Sequence, residues 1–252
     1  MQMTKQAENP EFYLKKESYL SRKFDKISRK MRARYFALEG QFNGDYSSQT
    51  ININWDEQPT RFDLINTLVA KHNYKKYVEI GCSTDACFKA IATEDKIGVD
   101  PFMGGTHRMT SDEFFAQNND KFDIIFIDGL HQYEQVKRDM LNAVAALNDN
   151  GVIIVHDCLP KNYYAQLPFP SGGDWNGDVW KAFVEMRTLA HIDCAVCLID
   201  HGLGIIKKRR SNNPLQLDTK DFLSLKFKDF MANHRIWLNV KSYDEALEFI
   251  NL

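Results

Sequence analysis

No run of about 18 apolar residues, the length a helix needs to cross a bilayer core, occurs in this 252-residue chain. The first residues, MQMTKQAENPEFYLKK, lack the apolar centre of a signal peptide, so a cytoplasmic location is expected. There is almost no net charge: the formal value of −2 gives no pointer toward a polyanionic or polycationic partner. Cysteines number five, at 82, 87, 158, 194 and 197, an odd count in a mid-sized chain that does not point to a disulfide framework. Cys194 and Cys197 form a CxxC, but no second pair accompanies them, and they read as two packed thiols in a buried strand. Repeats and low-complexity stretches are also lacking. What remains, with 44% apolar and 26% charged residues, is an ordinary globular composition long enough for one elaborated α/β domain.

The first 40 residues are basic and helix-like, with Lys15, Lys16, Arg22, Lys23, Lys26, Arg29, Lys30, Arg32 and Arg34 among Phe12, Tyr13, Leu14, Tyr19, Leu20, Phe24 and Ile27. Such a segment binds nucleic acid or anionic lipid, or packs its apolar side on the domain or a second copy. No nucleic-acid motif follows, and the packed arm is the reading adopted, with a homo-oligomer through this helix as one outcome. Residues 41–58 are polar and read as a linker.

From Thr60 the pattern becomes periodic. Thr60 with Asp63 resembles a capping box opening a helix. YVEIG, KIGVD, FDIIFID and GVIIVHD are short apolar runs of the kind found in strands buried on both faces. Helical patterns separate them: one through Phe88, Ala90 and Ile91, one from SDEFFAQN with Ser111 as N-cap, one through Val136, Met140, Val144 and Leu147. This alternation predicts a parallel, doubly wound sheet with right-handed crossovers. CAVCLIDHGLGIIKK predicts an antiparallel hairpin turning at Asp200-His201-Gly202. The tail predicts one or two helices with Phe222, Leu223, Phe227, Phe230 and Met231 buried. The divisions expected are 1–58 as helical extension and linker, 59–210 as the core, and 211–252 as a helical extension.

In an open α/β sheet, ligands bind beyond the carboxyl ends of the strands. Here those ends carry Glu79, Asp100, Asp128 and Asp157. Four acids on one rim repel unless a ligand, a cation or hydrogen-bond donors compensate them. The loop after the first strand, Gly81-Cys82-Ser83-Thr84-Asp85-Ala86, has only the first glycine of a GxGxxG phosphate grip. That disfavours a dinucleotide and an NAD-dependent oxidoreductase. S-adenosylmethionine has no phosphate and suits a tight turn with nearby hydroxyls. Glu79 can serve its ammonium, Asp100 before Pro101 its ribose, and Ser111-Asp112 either its adenine or merely the helix start.

YVEIGCSTDACFKAI, KIGVDP, SDEFF, FDIIFIDGLHQYEQVKRDMLNAV and GVIIVHDCLP together resemble the class I S-adenosylmethionine-dependent methyltransferases, and more narrowly the Methyltransf_24 group, over about residues 60–210. The resemblance implies a Rossmann-like seven-stranded sheet with its last strand antiparallel. It also implies cofactor contacts at Gly81, Cys82, Ser83, Asp100, Pro101, Ser111, Asp112, Asp128 and Gly129. Related catechol-type enzymes place a lysine base where His131 stands, which implies a general-base role for His131. They also hold magnesium through acids matching Asp128 and Asp157. The third position here is Cys158, a soft ligand that magnesium does not favour. Asp128 and Asp157 therefore hold Mg2+ or another divalent cation together with waters or substrate oxygens, or, without a metal, Asp157 orients His131 or the acceptor. On a regular pleat His156 would point the other way. Residues 159–183, with Tyr163, Tyr164, Trp175 and Trp180, read as an acceptor-binding cover, although Trp180 and Phe183 read better as the start of a core helix. The function expected is O-methylation of a small acceptor, a saccharide or natural-product-like metabolite, with no nucleic-acid or membrane partner. The rival from another class is a non-catalytic cofactor-binding partner protein.

Overall fold

The computed structural model describes residues 19–251, with side chains from Asp25 onward. Most of the aromatic residues of the basic arm, and Lys15 and Lys16, lie outside that description. The arm's described part is one helix, α1 (Tyr19–Asn43). Its small residues face inward: Ala33 and Ala37 are buried, and a Cβ on Gly40 would lie 2.5 Å from Tyr163 Oη. The larger apolar side chains Ile27, Met31, Tyr35, Leu38 and Phe42 are exposed on the helix, Phe42 by 91%. Of the apolar residues expected to pack, Ile27 is the one whose side chain is described, and it is exposed; alanines and a glycine make the contact instead, because close approach of the helix needs small residues.

α2 (Arg61–His72) opens on the expected capping box, Thr60 accepting from Asp63 N and Asp63 accepting from Thr60 N. The alternating run follows as β1 (Lys76–Ile80), α3 (Ala86–Ala90), β2 (Asp95–Val99), α4 (Ser111–Gln117), β3 (Phe122–Ile127), α5 (Tyr133–Ala146) and β4 (Leu147–Val155). α4 is capped by Thr110 rather than Ser111: the box forms with Glu113, three residues after Thr110. NDNG does not break the chain before β4. It lies within the strand, where the pairing with β3 shifts register between Phe122 and Ile124. Then come α6 (Val179–Met186), β5 (Asp193–Cys197), β6 (Leu203–Lys207), α7 (Phe227–Trp237), β7 (Val240–Lys241) and α8 (Tyr243–Asn251).

The seven strands are ordered β2-β1-β3-β4-β6-β5-β7. β1 to β4 are mutually parallel, and β6 is antiparallel to both β4 and β5. The hairpin turns at Asp200, His201 and Gly202, all at positive φ. The expected count of seven is met differently than the resemblance implies. The last strand in sequence, β7, pairs parallel with β5, while His107 adds only an isolated bridge beside Val99. Helices cover both faces, so alternate strand residues feed two cores. Val78, Ile125 and Ile153 face one, with α5 and α6, and Tyr77, Ile124 and Val152 the other, with α2 and α8. The CxxC divides the same way, Cys194 into one core and Cys197 into the other, so the pair cannot clamp one metal. In the tail Phe222, Phe227, Phe230 and Met231 are buried as expected, but Leu223 is 45% exposed on a single 3-10 turn. No helix among the described residues is long and apolar enough to cross a membrane.

Candidate active site

Strand order reverses between β1 and β3, and the site lies at their carboxyl ends, the place where open α/β sheets bind ligands. These ends are tied to each other and to the end of β2. Gly81 N donates to Val99 O and Asp128 N to Ile80 O. Gly81 sits at φ +89°, and any Cβ there would overlap the Asp128 carbonyl oxygen, so the turn requires glycine.

Glu79 is 1% exposed and receives Tyr77 Oη at 2.5 Å. Burial pushes its carboxyl up to about 7, against the hydrogen bonds from Tyr77 and Cys87. A buried acid that lacks a hydrogen-bonded cation is a ready partner for an ammonium group. Asp100, by contrast, is heavily engaged: Ser83 N donates to one carboxylate oxygen, Phe102 N and Met103 N to the other, and Arg108 stands 3.8 Å away. Its structural work is to fasten the first loop to the second. Ser111 accepts from Gln135 Nε2, and Asp112 pairs with Arg138, so both are held by α5.

The densest part of the site is built by Asp128, His131, His156 and Asp157. His131 Nε2 lies 3.3 Å from Asp128 Oδ1, and its Nδ1 lies 3.4 Å from Asp157 Oδ2 and 3.2 Å from Trp175 O. The Trp175 ring packs on the imidazole at 4.9 Å between centroids. Asp157 leaves the strand at φ +61°, and this breaks the pleat on which His156 was expected to point away. Instead His156 Nδ1 comes within 3.3 Å of Asp128 Oδ1 and 3.1 Å of Asp157 Oδ2, yet off the hydrogen-bonding direction, so it stays without a donor–acceptor partner. On its other side His156 meets Asp200, which Arg61 holds through its guanidinium and backbone N–H. Burial opposes charge on both imidazoles. The Asp128 and Asp157 carboxylates outweigh it and raise both, His156 well above the ordinary value. Burial likewise disfavours the Asp128 carboxylate, but the two histidines hold it far below the usual range.

Donor atoms of Asp128, His131 and Asp157 lie within 4.8 Å of one another, and buried Asn176 presents an unpartnered Oδ1 while its Nδ2 donates to Asp157. Two carboxylates and an imidazole fit a divalent cation, so the donor set is compatible with one. Cys158 is not part of it: its buried thiol donates to Val155 O. His156, Asn176, Arg61 and Asp200 escaped sequence reasoning. Only the His-Asp dipeptide at the end of β4 carried a signal, and the left-handed turn that brings both side chains to one place has no sequence signature.

Residues 34–158, about half of the chain, match the model of Methyltransf_24, a methyltransferase domain. The chain belongs to this family. It is an S-adenosylmethionine-dependent methyltransferase. No curated protein matches the chain. Among solved structures, the methyltransferase is similar to the SAH-bound methyltransferase PaMTH1 of Podospora anserina, at 14% identity and a TM-score of 0.47 over 61% of this chain and 81% of that one. It is similar to an O-methyltransferase from Bacillus cereus in complex with SAH, at 11% identity and 0.44, over 69% and 89%. The MycE methyltransferase of mycinamycin biosynthesis, solved with Mg, SAH and mycinamycin VI, is similar at 15% and 0.39, over 61% and 50%.

Proposed function

We propose that this methyltransferase methylates a hydroxyl oxygen of a small acceptor, a saccharide or related metabolite, with His131 as general base. The observation that carries the reading is the convergence of Asp128, His131 and Asp157 beside the β1 turn. S-adenosylmethionine supplies a methyl group on a sulfonium, and the protein's task is alignment and proton removal. Gly81, Cys82, Ser83, Pro101 and Gly129 line the turn side of the cofactor, Glu79 takes its ammonium, and Asp100 shares its carboxylate with the ribose. Ser111 and Asp112 stand at the adenine end.

His131 works from its neutral ring. It accepts the hydroxyl proton as the oxygen attacks, and Asp128 and Asp157 stabilise the imidazolium that results. Trp175 fixes the ring plane, and Asn176 fixes Asp157. The same residues would hold Mg2+ or another divalent cation, which when bound lowers the pKa of an oxygen it touches. His131 is then a ligand rather than a base, and exhaustive chelation separates the two cases: full activity without metal assigns His131 the proton. Calorimetry with the cofactor and its demethylated product tests the reading as a whole. Failure of a folded sample to bind either one sinks it.

Five unpaired, buried thiols support action in the reducing cytoplasm. The exposed stripe on α1, Ile27, Met31, Tyr35, Leu38 and Phe42 at spacings of four, four, three and four, supports a second copy as its cover.

A further inference from the structure

Beyond the proposed site, the cover segment and α1 enclose an open cleft of about 480 Å³. That is within the range of small-molecule sites. Its composition differs sharply from the acidic rim described above. Lys30 and Arg34 reach it from successive turns of α1, and Lys161 from the start of the cover. The one acid lining it, Asp174, is paired with Lys161. Among the described residues the α1 ion pair is Arg29 with Asp25 and the cleft ion pair is Lys161 with Asp174, so Lys30 and Arg34 take part in neither. Asn162 spends its Oδ1 on the backbone N–H groups of Tyr164 and Ala165, which leaves its amide donors for a ligand. Tyr164, 39% exposed, gives an aromatic wall.

The cleft is joined to the site by three consecutive residues. Asp174 lines the cleft, Trp175 packs on His131, and Asn176 donates to Asp157. A molecule seated in the cleft therefore lies against the segment that positions the base and its acid. Two cations outside those ion pairs, free amide donors and an aromatic face select an anion attached to a ring or polyol.

We propose that this cleft binds the anionic end of the acceptor, a carboxylate or phosphate carried by a sugar-like hydroxyl compound. This rests on the O-methyltransferase reading and narrows it: neutral acceptors lack the group that the cleft recognises. Lys30 and Arg34 act on acceptor affinity and touch no reacting atom.

Calorimetric titration of the full chain with glucose 6-phosphate, glucuronate and glucose tests it, and the two anions distinguish phosphate from carboxylate. One or both anions are expected to bind while glucose does not. In the double variant Lys30→Glu, Arg34→Glu, anion affinity is expected to fall at least about tenfold, and in Lys71→Glu, on a different helix, to stay unchanged. Equal binding of glucose, no binding of either anion, or full anion affinity in the double variant each overturns the proposal. S-adenosylmethionine titrated into the same samples keeps the two readings apart. Cofactor binding without anion binding removes the cleft assignment alone, and anion binding without cofactor binding removes the transferase reading and leaves the cleft as an anion site.

Discussion

Glu79 and Asp139 show how burial at single residues sets the pH response. Glu79 titrates at about 7 because its surroundings disfavour charge. An ammonium placed beside it favours the ionised form, so cofactor binding should release a proton near neutrality. Affinity should rise between pH 6 and about 7.5 in wild type and lose that rise in Glu79→Gln, as calorimetry in buffers of different ionisation enthalpy would report. Asp139, buried on α5, is pushed up to about 6 by desolvation, which the hydrogen bonds from Ser111 and Gln135 only partly offset. Its folded value exceeds its unfolded one, so the native state binds more protons between about pH 4 and 6. Stability falls as pH rises through that window and the loss is complete above it, on the order of 3 kcal/mol. Denaturant melts of Asp139→Asn should lack this descent. For His131→Ala the expected result is cofactor affinity within about twofold of wild type and turnover lower by roughly 10²–10⁴, the usual reach of general-base catalysis. Unchanged turnover would take the base role away.

At the scale of elements, α1 and the cover segment depend on each other. Tyr163 was read as a stacking face for the acceptor. It is buried instead, its hydroxyl donating to Phe36 O and lying 3.3 Å from Asp45, with Gly40 beneath it. Because the Tyr163 hydroxyl is held between Phe36 O and Asp45, a methyl group at Gly40 runs into it. Gly40→Ala should cost roughly 1–3 kcal/mol by overpacking and expose α1 to proteolysis, measured by thermal melts and limited digestion. Trp180 is the opposite case. It is 0% exposed in α6 against Phe227, Phe230 and Trp237, as the pattern of a core helix predicts. The helices and strands were legible from the run of apolar residues, because each parallel strand buries both faces. The role of each aromatic in residues 159–183 was not, because an irregular segment has no period from which to read an inward face.

For the whole molecule, the exposed stripe on α1 and the cofactor site lead to separate expectations. If a second copy covers the stripe, sedimentation velocity should find a dimer in wild type and a monomer in Leu38→Glu, with cofactor affinity unchanged. Cofactor binding should raise global stability by mass action, about 2.7 kcal/mol at a hundredfold excess over Kd. The same melt on Glu79→Gln should show a smaller rise.

The sequence alone determined the parallel sheet and the acids at the carboxyl ends of its strands, while the strand order that puts the reversal between β1 and β3 came from the tertiary structure. The sheet and the acids follow from periodicity and from where apolar runs stop, both local properties of the chain. The opening capping box at Thr60 and the hairpin turn at Asp200 were local as well. Only the tertiary structure decided that His156 joins the site, that Asn176 holds Asp157, and that Arg61 braces the group from α2. Each depends on a backbone turn or a contact across many residues, such as the left-handed Asp157 or the 139-residue separation of Arg61 from Asp200. Side-chain direction after a strand ends is set by the packing of other elements, and no spacing along the chain encodes it.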